Sequence, residues 1–190
     1  MRSEDTKFKA KTEEFMNTLE AIAKRKSTRA YKDVQVPEDA LDAIIKAACA
    51  APVAMAKYDT LHITVIQDPD AIGKINELAA EMFLKKIGVK KSTDFGAKTM
   101  VLVSTASTML PPEMEFANAG IVVENMIIAA TSLGIDSVVL GGAPAIVAQN
   151  RELVSALGIP EGFKPVLGAL FGYAQNDEPA KQHTITVNRV

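Results

Sequence analysis

Apolar residues recur along this chain with two periods, and the changes of period mark its elements. Phe15, Leu19 and Ile22 fall at helical spacing and predict a first helix over residues 12–26. Pro37-Glu38-Asp39 opens a second: proline suits a first turn, and acids suit its positive end. Leu41, Ile44, Ile45, Ala48 and Cys49 form the apolar side of this helix, with Cys49 expected as a small core residue, and Pro52 stops it. After a loop over 52–60, Leu61 to Ile66 reads as a buried strand rich in β-branched residues. Asp68-Pro69-Asp70 starts a third helix to about residue 86, and 85–94 is a basic, polar connection. A second strand follows around Met100-Val101-Leu102-Val103.

The longest helix is expected from Pro111 to Leu133, with Gly134 ending it. It is apolar nearly all round, with Asn118, Glu124 and Asn125 as polar exceptions, and such a helix is buried on most sides. One small domain covers it with difficulty, so a partner subunit is expected. Residues 135–140 predict a third strand leading into Gly141-Gly142-Ala143-Pro144, and residues 145–157 a short helix. The nearly unbroken apolar run in 164–173 predicts a fourth, central strand. The alternation His183-Thr184-Ile185-Thr186-Val187 suits an edge strand, on this sheet or on a partner's. The pattern describes an α+β fold with a mixed central sheet of four to five strands sandwiched by helices. Residues 1–14 read as a polar lead-in and 15–190 as a single domain.

Composition narrows the function. The 190 residues carry a formal net charge of −2, which argues against a general nucleic-acid binder. No apolar stretch is long enough to span a bilayer, and residues 1–11 lack the apolar core of a signal peptide, so no membrane partner and a cytoplasmic location are expected. The single cysteine permits neither an internal disulfide nor a thiolate metal cluster.

Lys24-Arg25-Lys26-Ser27-Thr28-Arg29 is the stretch with the clearest chemistry. If it is extended, Arg25, Ser27 and Arg29 point the same way; if it is helical, the two arginines share a face and Ser27 turns away. Two guanidinium forks and a hydroxyl suit a phosphate ester. The competing explanation is that basic residues near a helix C-terminus simply complement its dipole. Elsewhere, familiar constellations are missing. His62, His183 and Cys49 do not make a metal site, and there is no Gly-x-Ser-x-Gly elbow, Walker phosphate loop or Gly-x-Gly-x-x-Gly fingerprint. A chain without a bond-breaking set of side chains is either a binding protein or the holder of a cofactor that carries the chemistry.

The order of short motifs adds to this. A helix ends in Arg25-Lys26-Ser27-Thr28-Arg29, and another closes on Ala50-Ala51-Pro52. The long helix carries Asn118-Ala119-Gly120 and Asn125-Met126. Leu133-Gly134-Ile135, Gly141-Gly142 and Leu167-Gly168-Ala169-Leu170-Phe171-Gly172-Tyr173 follow. From about Leu19 onward the chain resembles the nitroreductase family of flavin enzymes. The resemblance implies a homodimer with FMN at the subunit interface and NAD(P)H as electron donor, with electrons passing in ping-pong fashion to a nitroaromatic, quinone or similar small acceptor. It implies that Arg25, Ser27 and Arg29, with Lys26 beside them, hold the FMN phosphate, joined by Lys181 and His183. His183 stands where the family usually has arginine. The resemblance also lays Leu140, Gly141 and Gly142 against the flavin ring, and the loop Pro52, Val53, Ala54 and Met55 at its edge.

That loop departs from the family. Val53, Ala56 and Tyr58 replace residues whose side-chain amides usually reach the flavin, leaving only backbone groups. Lys57 is either a charge near the flavin or an exposed loop lysine. Tyr58, Phe116 and Phe171 are candidates for the substrate slot or the core. No residue is assigned a catalytic role. A flavin-binding carrier or sensor without NAD(P)H turnover is the alternative reading, and a flavin-free anion-binding domain a third.

Overall fold

The computed structural model describes residues 16–106, 111–181 and 183–190. Among these residues, six α-helices and four strands follow in order: α1 Thr18–Lys24, α2 Glu38–Cys49, β1 Leu61–Ile66, α3 Pro69–Ile87, β2 Thr99–Ala106, α4 Pro112–Ser132, β3 Asp136–Leu140, α5 Gly142–Ala148, α6 Arg151–Ala156 and β4 Phe163–Gly172. The expected start of the first helix, residues 12–15, lies outside the described residues. Within them, Asn17 caps α1 by accepting the Glu20 amide, and the helix stops at Lys24. Asp68 caps α3 in the same way, accepting from Asp70 and Ala71.

The sheet has the order β1-β2-β4-β3, so β4 is central as its apolar run requires. All three strand pairings are antiparallel, which corrects the expected mixed sheet. Only one parallel contact occurs among the described residues, an isolated bridge between Ser27 and Ser137. The cause is visible after β1. The chain leaves through α3, then turns back along it, with the Thr93 amide donating to Asn76 Oδ1 at 2.8 Å. It re-enters the sheet where β1 ended, Ile66 facing Met100, so β2 runs the opposite way. The alternating tail, 183–187, pairs with no strand in the single chain, and Ile185 and Val187 are exposed.

Apolar residues cover both faces of the sheet. On one, Val101, Val103, Ala169 and Phe171 meet Ile44 and Ala48 of α2 and Val123, Met126 and Ile127 of α4. On the other, Met100, Leu102, Val138, Leu140 and Leu170 meet Ile75 of α3 and Ala143 and Val147 of α5. The stripe of α2 that turns inward is Leu41, Ile44 and Ala48. Cys49 lies one residue past that stripe and is exposed, contrary to its expected place in the core. The expected single helix over 145–157 is two helices. Asn150 interrupts it, and its side chain accepts the Leu153 amide to start α6 afresh.

The polar exceptions on α4 are cross-links. Asn125 Nδ2 donates to the Ala47 carbonyl at 3.0 Å, fastening α2. Asn118, buried, accepts the Ala54 amide at 2.9 Å and so fixes the loop after Pro52. Parts of α4 stay uncovered in the single chain: Met114 and Ile121 on one face and Phe116 on another are exposed.

Two glycines of β4 are required by close approach. A Cβ on Gly168 would lie 2.5 Å from the Val101 carbonyl oxygen, and one on Gly172 would lie 2.9 Å from the Tyr31 ring. In contrast, Gly73 in α3 has nothing within 4 Å. Gly168→Ala is therefore expected to destabilise the fold by about 1–3 kcal/mol, and Gly73→Ala to stabilise it by about 0.4–1 kcal/mol. Urea denaturation midpoints of the two variants, moving in opposite directions, check both.

Candidate functional site: a basic cleft beside β3

The chain beyond α1 is extended, with Arg25 at φ −55° and ψ 129°. Of the two geometries open to the basic stretch, the structure adopts the alternating one. Even-numbered side chains turn to Asp136, the first residue of β3. Thr28 Oγ1 donates to Asp136 Oδ1 at 3.2 Å, and Lys26 Nζ stands 3.6 Å from the same oxygen. The backbone of the stretch also joins β3, with Ser27 in an isolated bridge to Ser137 and Thr28 N donating to the Ser137 carbonyl at 2.9 Å.

The second wall of the cleft comes from the far end of the chain. Arg25, Ser27 and Arg29 share a cleft of about 510 Å³ with Asn176, Glu178, Lys181 and His183. The residues named from both ends of the sequence therefore meet in one place. Lys26 borders the cleft too, but its ammonium group is engaged elsewhere. It donates to the Glu178 carbonyl at 2.8 Å and lies 3.6 Å from both Asp136 and Asp177, which ties the tail down. Arg29 Nη1 donates to the Ser27 carbonyl at 3.3 Å. Among the described residues, neither Arg25, Arg29 nor Lys181 has a carboxylate partner. With Glu178 the only acid among the residues lining it, the cleft carries an excess of positive charge that favours an anion.

Asp136 was not singled out in the sequence, yet it organises this end of the fold. Besides Thr28 and Lys26 it accepts the Ala174 amide on Oδ2 at 3.0 Å. Nearby, Tyr31 is buried against Gly172. Burial first, and the Asp136 carboxylate second, push its phenol pKa far above the ordinary tyrosine range, while Arg29 pulls it partly back. The phenol is neutral at any physiological pH.

The other sequence-derived candidates lie outside this cleft. Leu140 points into the core, so only its backbone is available to a ligand. Gly141 and Gly142 follow it at the start of α5; neither has a positive φ, and a Cβ on either would meet nothing within 4 Å. Val139, also missed in the sequence, is 43% exposed although it sits within β3. Its only signal was negative, an apolar strand residue indistinguishable from core. Pro52 and Met55 are exposed, with Val53 and Ala54 partly so, and Met55 and Ala56 are both left-handed at φ 56° and 53°. For non-glycine residues that conformation is strained. The Ala54 amide is already held by Asn118, and Tyr58 Oη donates to the Ala51 carbonyl at 3.2 Å. Lys57 is exposed, Tyr58 and Phe116 are half-exposed, and Phe171 is wholly in the core.

Because Asp136 meets three partners on two separate segments, Asp136→Ala is expected to cost about 2–4 kcal/mol. Asp136→Asn keeps acceptor capacity for Thr28 but not the charge beside Lys26, and is expected to fall between. Chemical denaturation of the three proteins checks the order.

Comparison with known proteins places this geometry. Residues 22–173 match the model of the nitroreductase family. An FMN reductase [NAD(P)H] of Bacillus subtilis is 29% identical over 180 residues, covering 86% of this chain and 68% of that protein. Among solved structures, a nitroreductase with bound FMN from Bacteroides fragilis superposes with a TM-score of 0.78 at 28% identity, covering 92% of this chain and 97% of that one. Another with bound FMN, from Desulfitobacterium hafniense, gives 0.80 at 26% identity, covering 92% and 100%. With its antiparallel sheet between two helical layers and its basic cleft beside β3, this chain belongs to the nitroreductase family.

Proposed function

We propose that this protein is an FMN-dependent oxidoreductase that passes reducing equivalents from NAD(P)H to a small acceptor such as a nitroaromatic or quinone, in ping-pong fashion. The observation that carries the reading is the convergence of Arg25, Ser27, Arg29, Lys181 and His183 on one cleft. Two guanidinium forks, an ammonium group and a hydroxyl match the oxygens of a phosphate monoester. Lys26 serves this site by holding the tail in place rather than by meeting the ligand.

The rest of β3 fits a flat ring beyond that phosphate. From Ser137 to Gly141 the chain advances four residues, about 13 Å at the rise of a strand. Val139 offers an exposed apolar floor along that path. Neither the backbone conformation nor the packing of this chain requires Gly141 and Gly142 to lack a side chain. A ligand lying against them does, because only glycine lets the backbone approach it closely. When bound, FMN supplies the hydride acceptor, and the chain's own residues bind, orient and shield it. The loop at Val53–Ala56 has its shape set by Asn118 and by internal bonds from Ala56 N to the Val53 carbonyl and from Lys57 N to the Ala54 carbonyl, and it carries no side-chain amides.

A second copy of the chain completes the reading. Leu19 and Ile22 of α1, Met114, Phe116 and Ile121 of α4, and Met55 of the strained loop are all exposed. Apolar surface of that extent is covered in a homodimer. The engagement of the Ala54 amide favours one alternative, a flavin carrier or sensor that does not turn over NAD(P)H; NAD(P)H oxidation under excess acceptor separates the two.

Incubation with FMN, desalting and an absorbance spectrum test the cofactor directly, with bands near ~450 and ~370 nm expected at about one flavin per chain. Arg25→Ala removes a charge-assisted contact and is expected to weaken FMN binding about tenfold to a hundredfold. His183→Arg is expected to strengthen it. Unchanged affinity in Arg25→Ala would count against the phosphate site. Sedimentation equilibrium of Ile121→Asp, expected to shift the protein toward monomer, tests the dimer.

A further inference from the structure

The exposed aliphatic residues at the C-terminal end of α3 lie on none of the elements invoked for the dimer. Leu84, Ile87 and Val89 are 45%, 58% and 54% exposed. Lysine pairs flank them in the run Lys85-Lys86-Ile87-Gly88-Val89-Lys90-Lys91, and residues 82–93 contain no acid, in a chain that is acidic as a whole. All four lysines are exposed, and none has a carboxylate partner among the described residues. Helix-dipole complementarity accounts for Lys85 and Lys86, which lie in the last turn, but not for Lys90 and Lys91 beyond it.

The tip is a built turn. Gly88 adopts φ 72° and donates to the Leu84 carbonyl at 3.0 Å, reversing the chain. The returning strand of the turn is fastened to α3 by the Thr93–Asn76 bond. From Asn76 to the end of the helix is about 16 Å at the rise of an α-helix; there the lysines and aliphatics follow one another closely, and Lys85 and Lys86 border a groove with Glu81, Ile146 and Gln149.

We propose that this tip is a peripheral docking site for an anionic lipid surface. Aliphatic side chains enter the headgroup boundary while flanking lysines reach the phosphates, the combination by which interfacial segments bind. A protein partner fits less well, because the fully exposed residues of the tip include no aromatic or arginine anchor, Phe83 being only partly exposed, and lysine is depleted at protein interfaces. Such docking is distinct from spanning: no helix among the described residues is long and apolar enough to cross a membrane. It is also independent of the flavin reading.

Vesicle co-sedimentation of the full chain tests the proposal. The expected result is retention on mixed phosphatidylglycerol–phosphatidylcholine vesicles, none on pure phosphatidylcholine, and release by salt. Each lysine near an anionic surface is worth about fivefold in affinity. Lys90→Gln/Lys91→Gln, which leaves α3 intact, is therefore expected to weaken binding about 25-fold, with an unchanged thermal midpoint confirming the fold. Ile87→Ser, which leaves the charge unchanged, is expected to weaken vesicle binding while leaving binding to soluble polyglutamate as it was. The proposal is overturned by equal binding to both vesicle types, by undiminished binding of the lysine variant, or by polyglutamate binding as tight as vesicle binding with Ile87→Ser affecting neither.

Discussion

The carboxylate of Asp136 is the interaction on which this end of the molecule rests. It stands at the first position of β3 and receives Thr28 and Lys26 from the basic stretch and Ala174 from the chain after β4, adding side-chain bonds where backbone bridges also join these segments. Holding Thr28 and Lys26 on one side leaves Arg25, Ser27 and Arg29 on the other, because an extended chain alternates. A single acid thus separates the basic stretch into cations that are neutralised within the fold and cations that are not. The first set builds the cleft, and the second gives it its charge.

The same division of labour runs through α4. A helix apolar on nearly every side can slide against its neighbours, since apolar contact has no direction. Asn118 and Asn125 supply the direction, one fastening the loop after Pro52 and the other fastening α2. In the loop this fastening holds two consecutive residues, Met55 and Ala56, in the left-handed conformation. Their strain is maintained by the surrounding bonds, which is the usual circumstance of strain near a binding surface.

Much of this was legible in the sequence because it is local. Periods of 3.6 and 2 located every strand and most helices to within a few residues, and Asp68 and Gly134 marked helix ends by their own chemistry. Arg25, Ser27 and Arg29 were recognisable as a unit as soon as the segment was taken to be extended. What escaped was non-local. The direction of β2 follows from the path by which the chain returns to the sheet after α3, with Thr93 N bonded to Asn76 on the way, and is not visible within the strand itself. Asp136 reads as a polar residue before an apolar strand, and its partners are separated from it by more than 30 positions. Cys49 fell one residue outside a stripe whose edge periodicity alone does not resolve. Asn150 was a visible helix-capping residue inside a predicted helix, and its signal was outweighed by the apolar run around it.

The two walls of the basic cleft also carry a consequence for the order of events in the protein's life. Lys26 meets the Glu178 carbonyl across 152 positions of sequence, and Lys181 and His183 follow later still. A ribosome makes the arginines early and the opposing wall among the last residues of this stretch. Until that wall emerges, the early cations face open water with half of their site missing. Any anion that needs both walls is therefore captured after translation of the domain, by a folded chain rather than a growing one.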